Sequence, residues 1–375
     1  MSETALITGG AGFIGARLAR ELLQHGYVVR VLDSLVSQVH GAARQRPGYL
    51  PAEVELQIGD MRDPEAVARA LKGVDVVFHF AAAVGVGQSM YEIAHYTSVN
   101  NLGTAVLLEA LAEQPVRKLV VASSMSLYGE GRYHTRDGQI YHARRNPAQL
   151  GRREWEPVDA NGVPLTPMPT PESKRPDLAS VYALSKFDQE RLCLLLAAAR
   201  SMAATALRFF NVYGPYQSLS NPYTGVLAIF AARYLHGRPP LIYEDGEQRR
   251  DFVSVHDVAR ASRLACESAA ADGEVFNIGS GQARSINAIA EALGEVLRRS
   301  ALQAKVIGRY RVGDVRHCFA DIGKARRVLG YEPRVSLAAG LAEMADWLAT
   351  VAHEQPHADR VEQANEELLH RGLAL

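Results

Sequence analysis

The 375-residue chain has little of what would commit it to a special environment. It carries no net charge, with 41 basic residues against 41 acidic ones. That excludes the basic surplus of a nucleic-acid binder and the acidic run of a solvating tail. Only three cysteines occur, Cys193, Cys266 and Cys318, far apart in the chain. No pair has the spacing of metal ligands, so each reads as a small buried apolar residue, and no metal site is expected. No apolar run approaches the roughly 18 residues of a membrane-spanning helix. The opening residues lack the pattern of a signal peptide. The expectation is a cytoplasmic protein with neither membrane nor nucleic acid as partner. No internal repeat is visible.

What is present is a 47% apolar chain in which strand and helix patterns alternate. Short runs rich in Val, Ile and Leu predict buried parallel strands at Thr4–Thr8, Val28–Leu32, Glu53–Ile58, Val74–His79 and Lys118–Ser123. Helices are predicted between them at Phe13–Gln24, Pro64–Leu71 and Ile93–Glu113, the second capped by Asp63 with Pro64 at its first position. A helix over Val181–Arg200 and a strand over Thr205–Phe209 follow. This rhythm predicts an α/β fold with a doubly wound parallel sheet. Beyond Asn211 the pattern is mixed. Helices are predicted at Gly225–Leu235, His256–Glu267, Ser285–Arg298, Ala320–Leu329 and Leu337–Ala349, and short strands at Leu241–Tyr243 and Asp251–Val255. Residues 131–177 break the rhythm. They hold seven of the seventeen prolines, many arginines and Trp155, and show little period of either kind. A loop of that length inside a compact domain is usually functional.

Two strings carry the chemistry. Gly9-Gly10-Ala11-Gly12-Phe13-Ile14-Gly15 follows the first strand and opens the first helix. Helix N-terminal N–H groups attract a pyrophosphate, and glycine lets it approach closely. Asp33, at the end of the second strand, is placed to bind the hydroxyls of an adenosine ribose and to repel a 2′-phosphate, which favours NAD over NADP. Asp60 and Met61 end the third strand, where an adenine edge would lie. The second string is Tyr182-Ala183-Leu184-Ser185-Lys186. Tyr182 and Lys186 are four apart, on one helix face. A free phenol titrates near ~10 and is a poor base at neutral pH. An ammonium beside it, with the positive nicotinamide, is expected to lower that value. Ser124, just past the fifth strand, is placed to bridge a substrate hydroxyl and the phenol.

The glycine spacing and the Tyr-x-x-x-Lys pair resemble the short-chain dehydrogenase/reductases, in particular the extended branch of NAD-dependent sugar-nucleotide epimerases and dehydratases. The resemblance runs from about Thr4 to Leu341. Its other carriers are His79-Phe80-Ala81-Ala82, Ser123 to Glu130, Arg208 to Pro215, Arg250-Asp251-Phe252-Val253, Phe276-Asn277-Ile278-Gly279 and Arg311-Val312-Gly313-Asp314. It implies a Rossmann-type domain over 1–210, with 131–177 inserted and 240–262 returning to it. A smaller C-terminal α/β substrate lobe would span 211–239 and 263–350, and 351–375 would be peripheral. It implies Ser124, Tyr182 and Lys186 as the catalytic set. Gly9, Gly12, Phe13, Ile14, Gly15, Asp33, Ser34, Asp60, Met61, Phe80, Ala81, Ala82, Asn100 and Phe209 would bind NAD together with Tyr182 and Lys186. Ser124, Met125, Asn211, Gly225, Val226, Tyr243, Arg250, Arg311 and Asp314 would bind the nucleotide-diphosphate sugar, the arginines through charge-assisted forked bonds.

Within that family, dehydratases carry an Asp-Glu pair after the serine. Met125 and Ser126 stand there, so no dehydration chemistry is expected. The decarboxylating relatives carry a Glu there, also absent. A nucleotide-sugar 4-epimerase is the reading that remains, with a 4-keto-reductase as alternative and a non-catalytic NAD-binding regulator as the alternative from another class. Val84 replaces a lysine common in UDP-galactose epimerases. The strings Asn221 to Val226 and Glu244-Asp245-Gly246 are similar to dTDP-L-rhamnose 4-epimerases. The resemblance also implies a homodimer, paired through the helices near 93–113 and 181–200. The insertion is expected to fold down near the sugar pocket.

Overall fold

The computed structural model describes residues 2–219, 221, 223, 225–311, 313–351 and 361–374. Seven parallel strands form the central sheet. In chain order they begin with β1 Thr4–Thr8, β2 Val28–Asp33, β3 Glu55–Ile58, β4 Val76–His79 and β5 Lys118–Ser124. The insertion contributes β6 Arg132–His134, β7 Ile140–Tyr141 and β8 Thr166–Met168, and the sheet resumes with β9 Ala203–Phe209. Beyond it lie β10 Asn211–Tyr213, β11 Arg249–Ser254, β12 Val275–Ile278, β13 Ala283–Ser285 and β14 His317–Cys318. The central order is β12-β9-β5-β4-β1-β2-β3. Chain direction along the sheet reverses between β1 and β4. That switch point leaves a crevice at the strands' carboxyl ends, where ligands bind in such sheets.

The helices used below are α1 Phe13–Gln24, α2 Pro64–Leu71, α3 Gly103–Glu113, α4 Val181–Ala199, α5 Val226–Leu235, α6 Val255–Glu267, α7 Ile286–Val296, α8 Leu337–Val351 and α9 Val361–His370. Side chains of α1 and α6 cover one face of the sheet, where Leu18, Leu22, Val258 and Ala261 meet Ile7, Val31 and Phe78. Side chains of α2, α3 and α4 cover the other, where Val67, Leu107 and Cys193 meet Leu6, Val77 and Leu119. Both faces are thus buried, which is why the strands are apolar without alternation. A second core joins α5, α7 and α8 through Phe230, Ile289, Leu341 and Met344. All three cysteines are free and buried.

Four expectations change in detail. The helix predicted over 93–113 is three pieces: an α-helical turn at Ile93–Tyr96, a π-helical stretch at Thr97–Leu102, and α3. Asn100, inside the π stretch, bonds both the N–H and the C=O of Ala83 and the Ser185 hydroxyl. Such wide turns re-aim a side chain toward a site. The stretch 240–262 returns to the Rossmann domain only in part: β11 belongs to a separate sheet with β10, β13 and β14, α6 packs on the central sheet, and the strand that pairs with β9 is the later β12. The insertion is structured, not irregular. β7, β6 and β8 form an antiparallel sheet, and Pro147–Gly151 is a short helix capped by Asn146. Gly131 N–H donates to the His317 carbonyl and Thr170 N–H to that of Phe319, so the insertion is sewn to the C-terminal half. Finally, of the segment expected to be peripheral, 352–360 lies outside the described residues, but α9 packs inward. Tyr243 donates to Asn365 Oδ1 at 2.7 Å, and the Arg371 guanidinium lies over the Tyr91 ring.

Candidate active site

The turn between β1 and α1 is built around glycine for steric reasons. Gly9 has φ +67°, and a Cβ there would sit 2.8 Å from the Ala81 backbone. A Cβ on Gly15 would sit 2.5 Å from the Gly10 Cα. Gly12 starts α1 without any side-chain cap, which leaves its first N–H groups for a ligand. Asp33 closes the turn from the end of β2. One carboxylate oxygen accepts from Ala11 N–H at 3.0 Å and the other from Leu35 N–H at 2.9 Å.

These residues line one cleft of about 510 Å³. Every residue expected to bind cofactor reaches its wall except Asn100. Asn100 stands one layer behind, holding the Ala83 backbone in place. Ser124, Tyr182 and Lys186 line the same cleft. Ser124 ends β5, and its hydroxyl accepts from the N–H and the hydroxyl of Ser126. Tyr182 and Lys186 are held by the first two turns of α4, whose start is capped by the Ser180 hydroxyl on Ala183 N–H. The Tyr182 N–H is fixed by Ser89 Oγ.

The electrostatics differ from the sequence reading. Burial pushes the Tyr182 phenol above its ordinary value, and its hydrogen bond with Ser124 opposes that rise. Lys186 is not what lowers it here. Lys186 itself is 3% exposed, and burial depresses its ammonium to about 8. Its Nζ donates to Gln189 Oε1 at 2.7 Å. Beneath them, His79 bonds the hydroxyls of Thr8 and Thr104, each at 2.8 Å, and burial lowers it to about 3. The neutral imidazole therefore adds no charge to the cleft floor.

The expected substrate residues do not share that wall. Only Ser124 does. Asn211 donates to the Met125 sulfur and the Asp251 carbonyl. Gly225 caps α5 ahead of Val226. Tyr243, Arg311 and Asp314 form a second cluster. The Arg311 guanidinium lies 4.5 Å over the Tyr243 ring, and its Nε donates to Asp314 Oδ2 at 2.9 Å. Arg250 points at backbone, with Nη1 on the Arg316 carbonyl at 3.0 Å and Nη2 on the Val315 carbonyl. It holds the chain next to Asp314 and, among the described residues, makes no forked pair with a carboxylate.

Sequence reasoning missed Gln38, Gln88, Tyr96 and Asn221, which also line the cleft. Gln38 donates to both Gln88 and Asn221, closing the wall between the sheet domain and the loop before α5. Asn221 stood in a string already singled out; the glutamines carry no local signal. Other motif residues prove to be scaffold. Arg208 pairs with Glu190 through Nε and Nη2 and donates to the Tyr128 hydroxyl, which donates to Asn277.

The chain matches the NAD dependent epimerase/dehydratase family over residues 5–147 and 162–279. A dTDP-L-rhamnose 4-epimerase of Burkholderia thailandensis is 36% identical over 92% of this chain and 94% of its own length. The crystal structure of a Thermotoga maritima UDP-glucose 4-epimerase with UDP-glucose superposes with a TM-score of 0.76 at 32% identity, over 93% of this chain and 99% of that one. A Thermus thermophilus UDP-glucose 4-epimerase in complex with NAD gives 0.73 at 29%, over 92% and 99%. With the glycine turn, Asp33 and the Tyr182–Lys186 pair in one cleft, and with matches of this extent, the chain belongs to the NAD-dependent epimerase/dehydratase family.

Proposed function

We propose that the protein is an NAD-dependent nucleotide-sugar 4-epimerase acting on a dTDP- or UDP-linked hexose, with a deoxythymidine-linked 6-deoxyhexose preferred. The observation that carries this reading is the single cleft joining the uncapped start of α1, Asp33, Ser124, Tyr182 and Lys186. Bound NAD supplies the oxidising and then the reducing equivalents at the sugar's C4. The glycine turn and the start of α1 hold its pyrophosphate, and Asp33 its adenosine ribose. Ser124 orients the C4 hydroxyl. Tyr182 takes the proton of that hydroxyl on oxidation and returns it on reduction, so neither protons nor electrons are consumed overall. Lys186, depressed to about 8, would hold the nicotinamide ribose and is the charge that would favour the phenolate.

Tyr243, Arg311, Asp314 and Asn211 hold the nucleotide diphosphate in the lobe of the second core. The 36% identity to the Burkholderia thailandensis protein supports the deoxythymidine nucleotide. The protein is proposed to pair as a homodimer, because Ile93, Leu102, Leu184, Leu192 and Leu195 are exposed apolar side chains on the helical stretch from residue 93 and on α4, with Leu195 58% exposed. Its free cysteines suit the reducing cytoplasm.

The test is incubation with dTDP- and UDP-linked sugars without added cofactor, reading the product by NMR. A C4 epimer without net NADH supports the epimerase. A requirement for added NAD(P)H and formation of a reduced product would make it a keto-reductase.

A further inference from the structure

We propose that Arg145, supplied by the insertion, is a positioning residue of the substrate site that locks together the two loops carrying Tyr243, Arg311 and Asp314. The inference rests on the nucleotide-sugar reading and extends it to a residue outside the cleft.

Arg145 is 4% exposed, and its guanidinium spans three parts of the chain. Nε donates to Glu130 Oε1 at 3.1 Å, Nη1 to Glu244 Oε1 at 2.6 Å, and Nη2 to the Asp314 carbonyl at 2.9 Å. Glu244 directly follows Tyr243 and has φ +53°. A non-glycine residue there is strained and stays only when its surroundings hold it. They do so from three sides. The Glu244 N–H donates to the Arg309 carbonyl at 2.7 Å. Its carboxylate, 1% exposed, is gripped by Arg145 on one oxygen and by Arg316 Nη1 on the other, at 3.0 Å. Arg316 also forks onto Asp245 at 2.6 and 2.9 Å. Its other partner is Glu156, again from the insertion, at 2.5 Å. Glu156 accepts from His317 Nε2 as well, at 2.9 Å.

The insertion thus contributes one group of each sign to an ionic cluster whose centre, Arg145, Glu244 and Arg316, is buried and whose rim, Glu156 and Asp245, is half-exposed. Two guanidiniums face four carboxylates, Glu130, Glu156, Glu244 and Asp245, so the cluster has no cation to spare. Burial pushes the Glu244 carboxyl upward, and Arg145 pulls it back. An arginine fork can serve a carboxylate and a carbonyl at once, whereas an ammonium is a point donor. Without Arg145, Glu244 keeps one partner and the Asp314 carbonyl loses a donor. The Tyr243 ring is then free to leave its place under Arg311. Tyr182 and the glycine turn lie in the cleft described above and share none of these contacts. The effect therefore falls on nucleotide binding and spares the chemical step.

The experiment measures dTDP and UDP binding by calorimetry, together with KM, kcat and copurified NAD. It compares the whole protein with Arg145→Met, Arg145→Lys and the paired Arg145→Met/Glu244→Gln. The paired change removes the stranded carboxylate, so it reports even where Arg145→Met does not fold. Expected are at least tenfold weaker diphosphate binding and at least tenfold higher KM in the Met and paired variants, with kcat and NAD content within about twofold. Arg145→Lys recovers part of the loss, since it regains Glu244 but not the Asp314 carbonyl. Folded variants with unchanged diphosphate affinity overturn the positioning role. So does a parallel loss of kcat and NAD, which marks a merely structural residue. A native protein that binds neither diphosphate overturns the nucleotide-sugar reading and this inference with it.

Discussion

The cofactor cleft and the Tyr243–Arg311–Asp314 cluster are built by opposite means. In the cleft, each functional residue stands at the end of a strand or the start of a helix. Gly9, Asp33 and Ser124 follow β1, close β2 and end β5. Their positions are set by the central sheet, so one local motif places one residue. In the second cluster, only a two-residue strand helps: Tyr243 follows Leu241–Ile242, which pairs with Lys305–Val306 outside the central sheet. Tyr243 and Arg311 are 68 positions apart, on loops held by Arg145, Arg316 and Glu244. The first site depends on backbone geometry and fails through single atoms. The second depends on an ionic scaffold with a buried centre and fails through loss of a strut.

The comparison breaks most sharply at Tyr182. Tyr182→Phe removes the proton carrier and nothing of the scaffold, so kcat should fall by the ~10²–10⁴ typical of a general base while NAD stays bound. Turnover and copurified NAD measured on the same sample check both halves. A next, smaller effect is one of pH. His79 is neutral in the fold and titrates at about 3, against an ordinary 6.5. Its contribution is whole above 6.5 and is lost as pH falls from 6.5 toward 3, because the unfolded chain takes the proton first. Each pH unit in that window costs about 1.4 kcal/mol, or about 2 kcal/mol by pH 5. Thermal melts between pH 7 and 5 should therefore fall more steeply for the native protein than for His79→Asn.

Asp33→Gly should narrow the preference for NAD over NADP by about tenfold, since one negative charge beside the ribose is removed. Direct titration with both cofactors measures it, and an NADP preference in the native protein would contradict the role given to Asp33. The smallest effect sharpens the second site. Arg144 is next to Arg145 in sequence, but its side chain is 82% exposed and pairs with Asp177, at 3.3 Å. Arg144→Ala should leave KM unchanged within about 0.5 kcal/mol, as surface pairs contribute little. A KM shift there equal to that of Arg145 would assign the effect to charge in general and not to the strut.

Most of the sheet was legible because its strands are short apolar runs closed by glycine or a capped helix. Pro64 behind Asp63 marked α2, and the side chain of Asp63 does accept from Glu65 N–H. The errors have local physical causes. Asn100 turns inward because a π-helical stretch shifts its face, and periodicity assumes a regular helix. The insertion looked irregular because its strands are two and three residues long, too short to show a period. Spacing pairs Tyr182 with Lys186 but carries no trace of burial, which raises the phenol and depresses the ammonium.

By itself, then, the sequence determined the fold class, the glycine turn, Asp33 and the Tyr182–Lys186 pair. Those features arise from residues adjacent in the chain or one helical turn apart, where spacing fixes geometry. The tertiary structure alone decided that Arg250 holds backbone, that Asn100 stands behind the wall, and that Arg145 and Glu156 reach across to Glu244 and Arg316. A buried charge finds its partner by position in space, and sequence separation carries no trace of that.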